Sequence, residues 1–119
     1  MPEAIAGKPR AEIHFKNAKV ERKFVNQISR MWLKYLEEFP SVLNKKGKSY
    51  KIDQKCVYEV ELDEKGFVDL DSMRLVKHKN KDNFDFNLAA VDFLKRYFVQ
   101  IDHKDKKKPI KLEFIYYAF

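Results

Sequence analysis

Two hydrophobic periods divide the chain. From Cys56 to Asp63 apolar side chains take the even positions (Cys56, Tyr58, Val60, Leu62), and charges take most of the odd ones. A period of two marks a strand with one buried face. Ser41 to Lys55 reads as a loop, within which the alternation of Tyr50 and Ile52 offers an early start to that strand. Asp63-Glu64-Lys65-Gly66 follows, with the glycine placed where a tight turn needs positive φ. Phe67 to Lys77 is a second alternating run, so the two segments predict a hairpin. Its parity slips: Val68 and Leu70 are even, whereas Met73 and Leu75 are odd. That slip predicts a bulge near Asp71-Ser72.

A period near 3.6 appears twice. Val20, Phe24, Ile28, Met31, Trp32, Tyr35, Leu36 and Phe39 recur at spacings of three and four, with charged and amide side chains between them. This predicts an amphipathic helix that Pro40 stops, with Trp32 as a packing residue. After a polar break at Asn80–Asn83, which offers helix caps, Phe84 to Phe98 is apolar nearly all round. One face of such a helix lies on a sheet, and the other needs the first helix or a partner protein. Ile110 to Phe119 closes the chain as a strand whose even face is apolar and whose odd face turns apolar at Ile115, Tyr117 and Phe119. Residues 1–17 carry two prolines, a glycine and no sustained period, and read as a tail or linker end, with the domain starting at residue 18.

The pattern therefore predicts an α+β fold, αββαβ, with both helices on one face of a three-stranded antiparallel sheet. The second predicted strand reverses on the first, and the helix crossover returns the last strand beside the first, giving the order 2-1-3. The last strand is then an exposed edge. It is long, aromatic and poor in the devices that blunt edges, so it is suited to accept a strand from another chain.

Composition narrows the chemistry more than it names it. The 119 residues suffice for one core, and 45% are hydrophobic. No apolar run approaches bilayer length, and Met1 to Arg10 lacks the apolar stretch of a signal peptide. The charge of +7 permits acidic proteins, anionic lipid or nucleic acid as partners without choosing among them. The basic loop 41–55, with Tyr50 among its lysines, and the lysines of 103–108 carry the nucleic-acid alternative. A lone Cys56 excludes an internal disulfide. His14, His78 and His103 fall on separate segments without metal-ligand spacing. The carboxylate pairs Asp63/Glu64, Asp69/Asp71 and Asp82/Asp85 suit a turn, a strand edge and a helix cap. Three glycines form no phosphate loop, and no serine sits in a nucleophile elbow. These features predict a chain without catalytic residues, metal or cofactor.

Several stretches carry a family likeness: Phe24-x-x-x-Ile28-x-x-x-Trp32, Val57-Tyr58-Glu59-Val60-Glu61-Leu62-Asp63-x-x-Gly66, Phe67-Val68-Asp69, Arg74-Leu75-Val76-Lys77, Phe84-Asp85 before Leu88-Ala89-Ala90, and Pro109-Ile110-Lys111-Leu112-Glu113-Phe114. From Val20 onward the chain resembles the C-terminal domain of TonB and TolA proteins. Loop 41–55 is longer and more basic than that pattern, and His78-Lys79-Asn80 stands where a serine-rich turn is expected. The resemblance implies a periplasmic domain, anchored to the inner membrane by a segment absent from this sequence. It implies coupling of inner-membrane proton-motive energy to outer-membrane transporters through an ion-driven motor complex, or TolA-type contacts with other envelope proteins. It implies an extended partner segment bound along Ile110, Lys111, Leu112, Glu113, Phe114, Ile115, Tyr116 and Tyr117. Self-pairing of the last strand in a homodimer is a further reading of the same edge.

Overall fold

Six elements follow one another: β1 (Arg10–Phe15), α1 (Arg22–Glu38), β2 (Ile52–Leu62), β3 (Val68–His78), α2 (Phe84–Tyr97) and β4 (Ile110–Ala118). The computed structural model describes residues 9–39, 52–78, 84–97, 100–101 and 109–118. Loop 41–51, the predicted caps at 80–83 and the lysines of 103–108 lie outside the described residues.

The two helices and the three predicted strands form on their periods, with one correction: β2 begins at Ile52, so residues 52–55 of the segment read as the basic loop 41–55 are strand, paired with β4 from Ile52 opposite Ala118 to Lys55 opposite Ile115. The fold is α+β, but the antiparallel sheet has four strands in the order β1-β4-β2-β3. The predicted neighbours β3-β2-β4 are kept, and the added strand comes from the segment read as a tail. Ala11, Ile13 and Phe15 alternate with Glu12 and His14, which is a short strand with one buried face. It runs antiparallel to β4 without a shift, from Arg10 opposite Tyr117 to Phe15 opposite Leu112.

Directly opposite residues share a face, so the registers sort the sheet. One face carries Ile13, Cys56, Tyr58, Val60, Ile110, Leu112 and Phe114, all buried. Both helices lie on that face around the fully buried Trp32. Its indole packs against Phe86 and Phe93 of α2 and Phe114 of β4, with ring centroids 5.2–5.7 Å apart and planes inclined 66–71°. Edge-to-face contacts of this kind add about 0.5–1.5 kcal/mol each beyond area burial. The indole N–H donates to the carbonyl of Ile115 at 3.1 Å, so the buried polar group is paired. Tyr58 ties β2 to α2 by donating its hydroxyl to the Asn87 carbonyl at 2.7 Å.

α1 and α2 are joined by a charged clasp. The Tyr35 hydroxyl donates to Asp92 Oδ2 at 2.6 Å, and Arg96 Nε donates to the same oxygen at 2.8 Å. The Arg96 guanidinium lies 4.8 Å over the Phe39 ring. α1 ends with the Phe39 N–H on the Tyr35 carbonyl at 3.0 Å.

Candidate functional site

The predicted contact strand is interior. Every position from Ile110 to Tyr117 lies in β4, between β1 and β2. Ile110, Leu112, Phe114 and Tyr116 are buried beneath the helices. Lys111, Glu113, Ile115 and Tyr117 face the opposite side of the sheet. The expected exposed edge is thus corrected: β1 occupies it. The reason is nonlocal. A five-residue alternation near the start of the chain finds its partner at the other end, and no period within either segment reveals the pairing. The signal was Ala11-Glu12-Ile13-His14-Phe15 itself, an apolar alternation as regular as that of β2.

β1 is firmly seated. The Lys16 N–H donates to the Lys111 carbonyl at 2.9 Å. From that bond the antiparallel alternation places the backbone groups of His14 and Glu12 toward β4, and those of Ala11, Ile13 and Phe15 outward. The outward N–H of Ile13 is taken by Ser29 Oγ of α1 at 2.9 Å. Asn17 braces the end of the strand: its Oδ1 accepts the Lys111 N–H at 2.8 Å and its Nδ2 donates to the Pro109 carbonyl at 3.1 Å. Phe15 packs on Phe24 of α1 with centroids 6.0 Å apart. Displacing β1 would expose the fully buried Ile13, at about 1.5–3 kcal/mol for that side chain alone.

The sheet face away from the helices is charged, and among the described residues no helix covers it. Its centre is Glu113, buried under two lysines: Lys55 Nζ at 3.0 Å and Lys16 Nζ at 3.8 Å. Arg74 of β3 donates to Glu59 of β2 at 2.7 Å on the same face. A buried carboxylate held by two cations fastens β4 to β1 and β2 on this face.

The other margin, formed by β3 and α2, is finished differently. Among the described residues the exposed large apolar side chains are Leu70 (36%), Leu75 (37%), Val76 (41%) and Leu88 (63%), and all four lie on β3 or α2. α2 packs along β3. Leu88 stands two turns before Lys95 and shares its stripe, on the opposite flank from the Phe93 ring that meets Tyr35. Near the start of β3 a groove of about 610 Å³ opens between Phe67, Val68 and Leu70 on the strand and Leu94 and Lys95 on the helix. Beyond Phe67, which bridges to Gln100, no described strand pairs with the outer side of β3.

That strand is irregular, as its parity slip predicts. Glu59 lies opposite Arg74 and Glu61 opposite Asp69, so β3 spends extra residues between Asp69 and Arg74. Ser72 fills the gap. Its Oγ accepts the Glu61 N–H at 2.8 Å and donates to the Asp69 carbonyl at 2.6 Å, standing between two backbone groups. A second shift falls between the Val57 and Tyr58 pairs. Bulges of this kind limit the straight run of free backbone, and they turn Leu70, Leu75 and Val76 to solvent in place of a clean pleat.

Register sets Cys56 opposite His78, yet the thiol is fully buried and desolvation pushes its pKa up to about 12, the reverse of an activated nucleophile. Burial, with the nearby Cys56, raises Tyr58 to about 12. Burial and then the hydrogen bond to Asp92 push Tyr35 above its ordinary value, and the same hydrogen bond, with that from Arg96, holds Asp92 below the usual carboxylate value. His14 sits 3.5 Å from Glu12 on the sheet face away from the helices. Among the described residues no group of three or more histidine, cysteine, aspartate or glutamate side chains is placed to hold a metal ion.

Comparison with known proteins returned no matching family model, no similar curated protein and no similar solved structure.

Proposed function

We propose that the chain is a non-catalytic protein-interaction domain that takes its partner at the β3–α2 margin. The single observation that carries this reading is the gathering of the exposed large apolar side chains on that one margin, beside the strand edge that no described strand pairs with. Water-exposed leucines and valines grouped on one side of a domain favour a protein surface over solvent. Outside its bulges, the free edge of β3 can supply backbone hydrogen bonds to a short extended segment, and the cleft beside α2 supplies side-chain selectivity.

In the setting implied by the residue pattern from Val20 onward, the domain is periplasmic and couples inner-membrane proton-motive energy to an outer-membrane transporter or another envelope protein. That setting rests on the sequence resemblance. The contact formerly expected along Ile110–Tyr117 moves to the β3–α2 margin, because β4 has a strand on either side.

The test is a titration of the ¹⁵N-labelled chain with peptides from the periplasm-facing segments of outer-membrane transporters. Shifts are expected at Leu70, Leu75, Val76 and Leu88. Shifts confined to β1 and β4, or no shift from any transporter peptide, would overturn the reading.

A further inference from the structure

We propose that the groove at the start of β3 selects an extended peptide segment in which apolar side chains alternate with carboxylates. This rests on the reading of the β3–α2 margin as the partner site and adds the chemistry of the partner. The floor is apolar, with Phe67, Val68, Leu70 and Leu94. The rim is cationic. Lys65 and Lys95 line it, both exposed, and neither makes an ion pair among the described residues. Asp63 also borders the groove, but its Oδ1 accepts the N–H groups of Lys65 at 2.8 Å and Phe67 at 2.9 Å. That carboxylate orders the turn and keeps its charge, so the groove lining carries two cations against one anion, a net positive charge that favours an incoming anion.

The frame is preorganised. Gly66 has φ 91°, and the Ile101 N–H donates to its carbonyl at 2.8 Å. Gln100 Nε2 donates to the Lys65 carbonyl at 2.6 Å, and Gln100 bridges Phe67 as a short strand pair. The turn is bolted to the segment after α2, so little ordering remains to be done on binding. The occupant is a peptide and not a compact small molecule, because the apolar margin continues past the groove to Leu75, Val76 and Leu88. An alternating segment turns every second, apolar side chain to the floor and the intervening carboxylates outward, toward the mouth of the groove where the exposed Lys65 and Lys95 side chains stand.

Two capped octapeptides test this against the full chain at low ionic strength: one alternating leucine with aspartate, and its twin with lysine for aspartate. The aspartate peptide is expected to shift the amides of Phe67, Val68, Leu70 and Lys95 and to bind at least about tenfold tighter than the twin. The double substitution Lys65→Glu, Lys95→Glu should reverse that order while leaving the remaining amide spectrum in place. Equal binding of both peptides at these amides overturns the charge selection and leaves the partner margin standing. Silence of these amides toward both peptides overturns the inference, whereas silence of the transporter peptides there as well overturns the margin itself.

Discussion

The two margins of the sheet are built from the same parts, an outer strand with a helix beside it, and they are finished in opposite ways. At the β1 margin the strand is regular, its outward Ile13 N–H is capped by Ser29, and its apolar side chains point into the core. At the β3 margin the strand is bulged, its apolar side chains reach solvent, and α2 adds Leu88 at 63% exposure. A sealed margin contributes stability. An unsealed one of apolar character gives up some of that contribution and gains a surface for another chain. The contrast makes a plain demand on mutants: substitutions of buried residues at the β1 margin should change folding, and substitutions of exposed side chains at the β3 margin should change binding.

The largest expected effect is at Ile13. Truncation to alanine leaves a cavity at a fully buried site and should cost about 2–5 kcal/mol by urea unfolding. A loss under about 1 kcal/mol would mean that β1 is only loosely attached, and the contrast between margins would fail. Next comes Gly66→Ala. The added Cβ would lie 2.6 Å from the Ile101 carbonyl oxygen at a positive φ, so a destabilisation of about 1–3 kcal/mol is expected. Thermal melting measures it, and an unchanged midpoint would show that the turn is not fastened as described.

A smaller effect is expected from the helix clasp. Asp92 has a folded pKa below its unfolded value, because Tyr35 and Arg96 donate to it. Its contribution is therefore fully present above the unfolded pKa, near 4, and is lost as pH falls through the folded pKa. The carboxylate is 40% exposed, so solvent screening holds the effect within about 1 kcal/mol. Between pH 5 and pH 2 the wild type should lose more stability than Asp92→Asn; parallel curves would contradict this. The smallest change in stability is expected for Leu88→Ser, within about 0.5 kcal/mol, with weaker binding of transporter peptides as its signature. A Leu88→Ser protein that binds as well as wild type would remove α2 from the margin.

Much of this architecture was legible in the residues. Trp32 falls on the apolar stripe of a 3.6-residue period and is the centre of the core. Cys56 shares a strand face with Tyr58 and Val60 and is buried with them. The parity slip at Asp71-Ser72 became the bulge that the Ser72 hydroxyl fills. In each case the cause is local, a period or a break in one. β1 was missed because its five alternating residues lie between Pro9 and the polar Lys16-Asn17, and their partner is at the far end of the chain. The short alternation was there to read; the pairing with β4 at the far end of the chain was not. That omission also made β4 look like an edge, since one added neighbour converts an edge into an interior strand. The β3–α2 margin was half visible. The all-round apolar pattern of α2 called for a second covering, by α1 or a partner, and Leu88 is the part that α1 does not reach.

Amide hydrogen exchange along β4 tests the central claim most directly. The N–H groups of Leu112, Phe114 and Tyr116 alternate toward β2, and those of Glu113 and Ile115 alternate toward β1. With β1 in place, both sets should exchange at rates within about one order of magnitude of each other, through global unfolding. If Glu113 and Ile115 exchange orders of magnitude faster than Leu112 and Phe114, β4 is an open edge in solution, and the assignment of partner binding to the β3–α2 margin is contradicted.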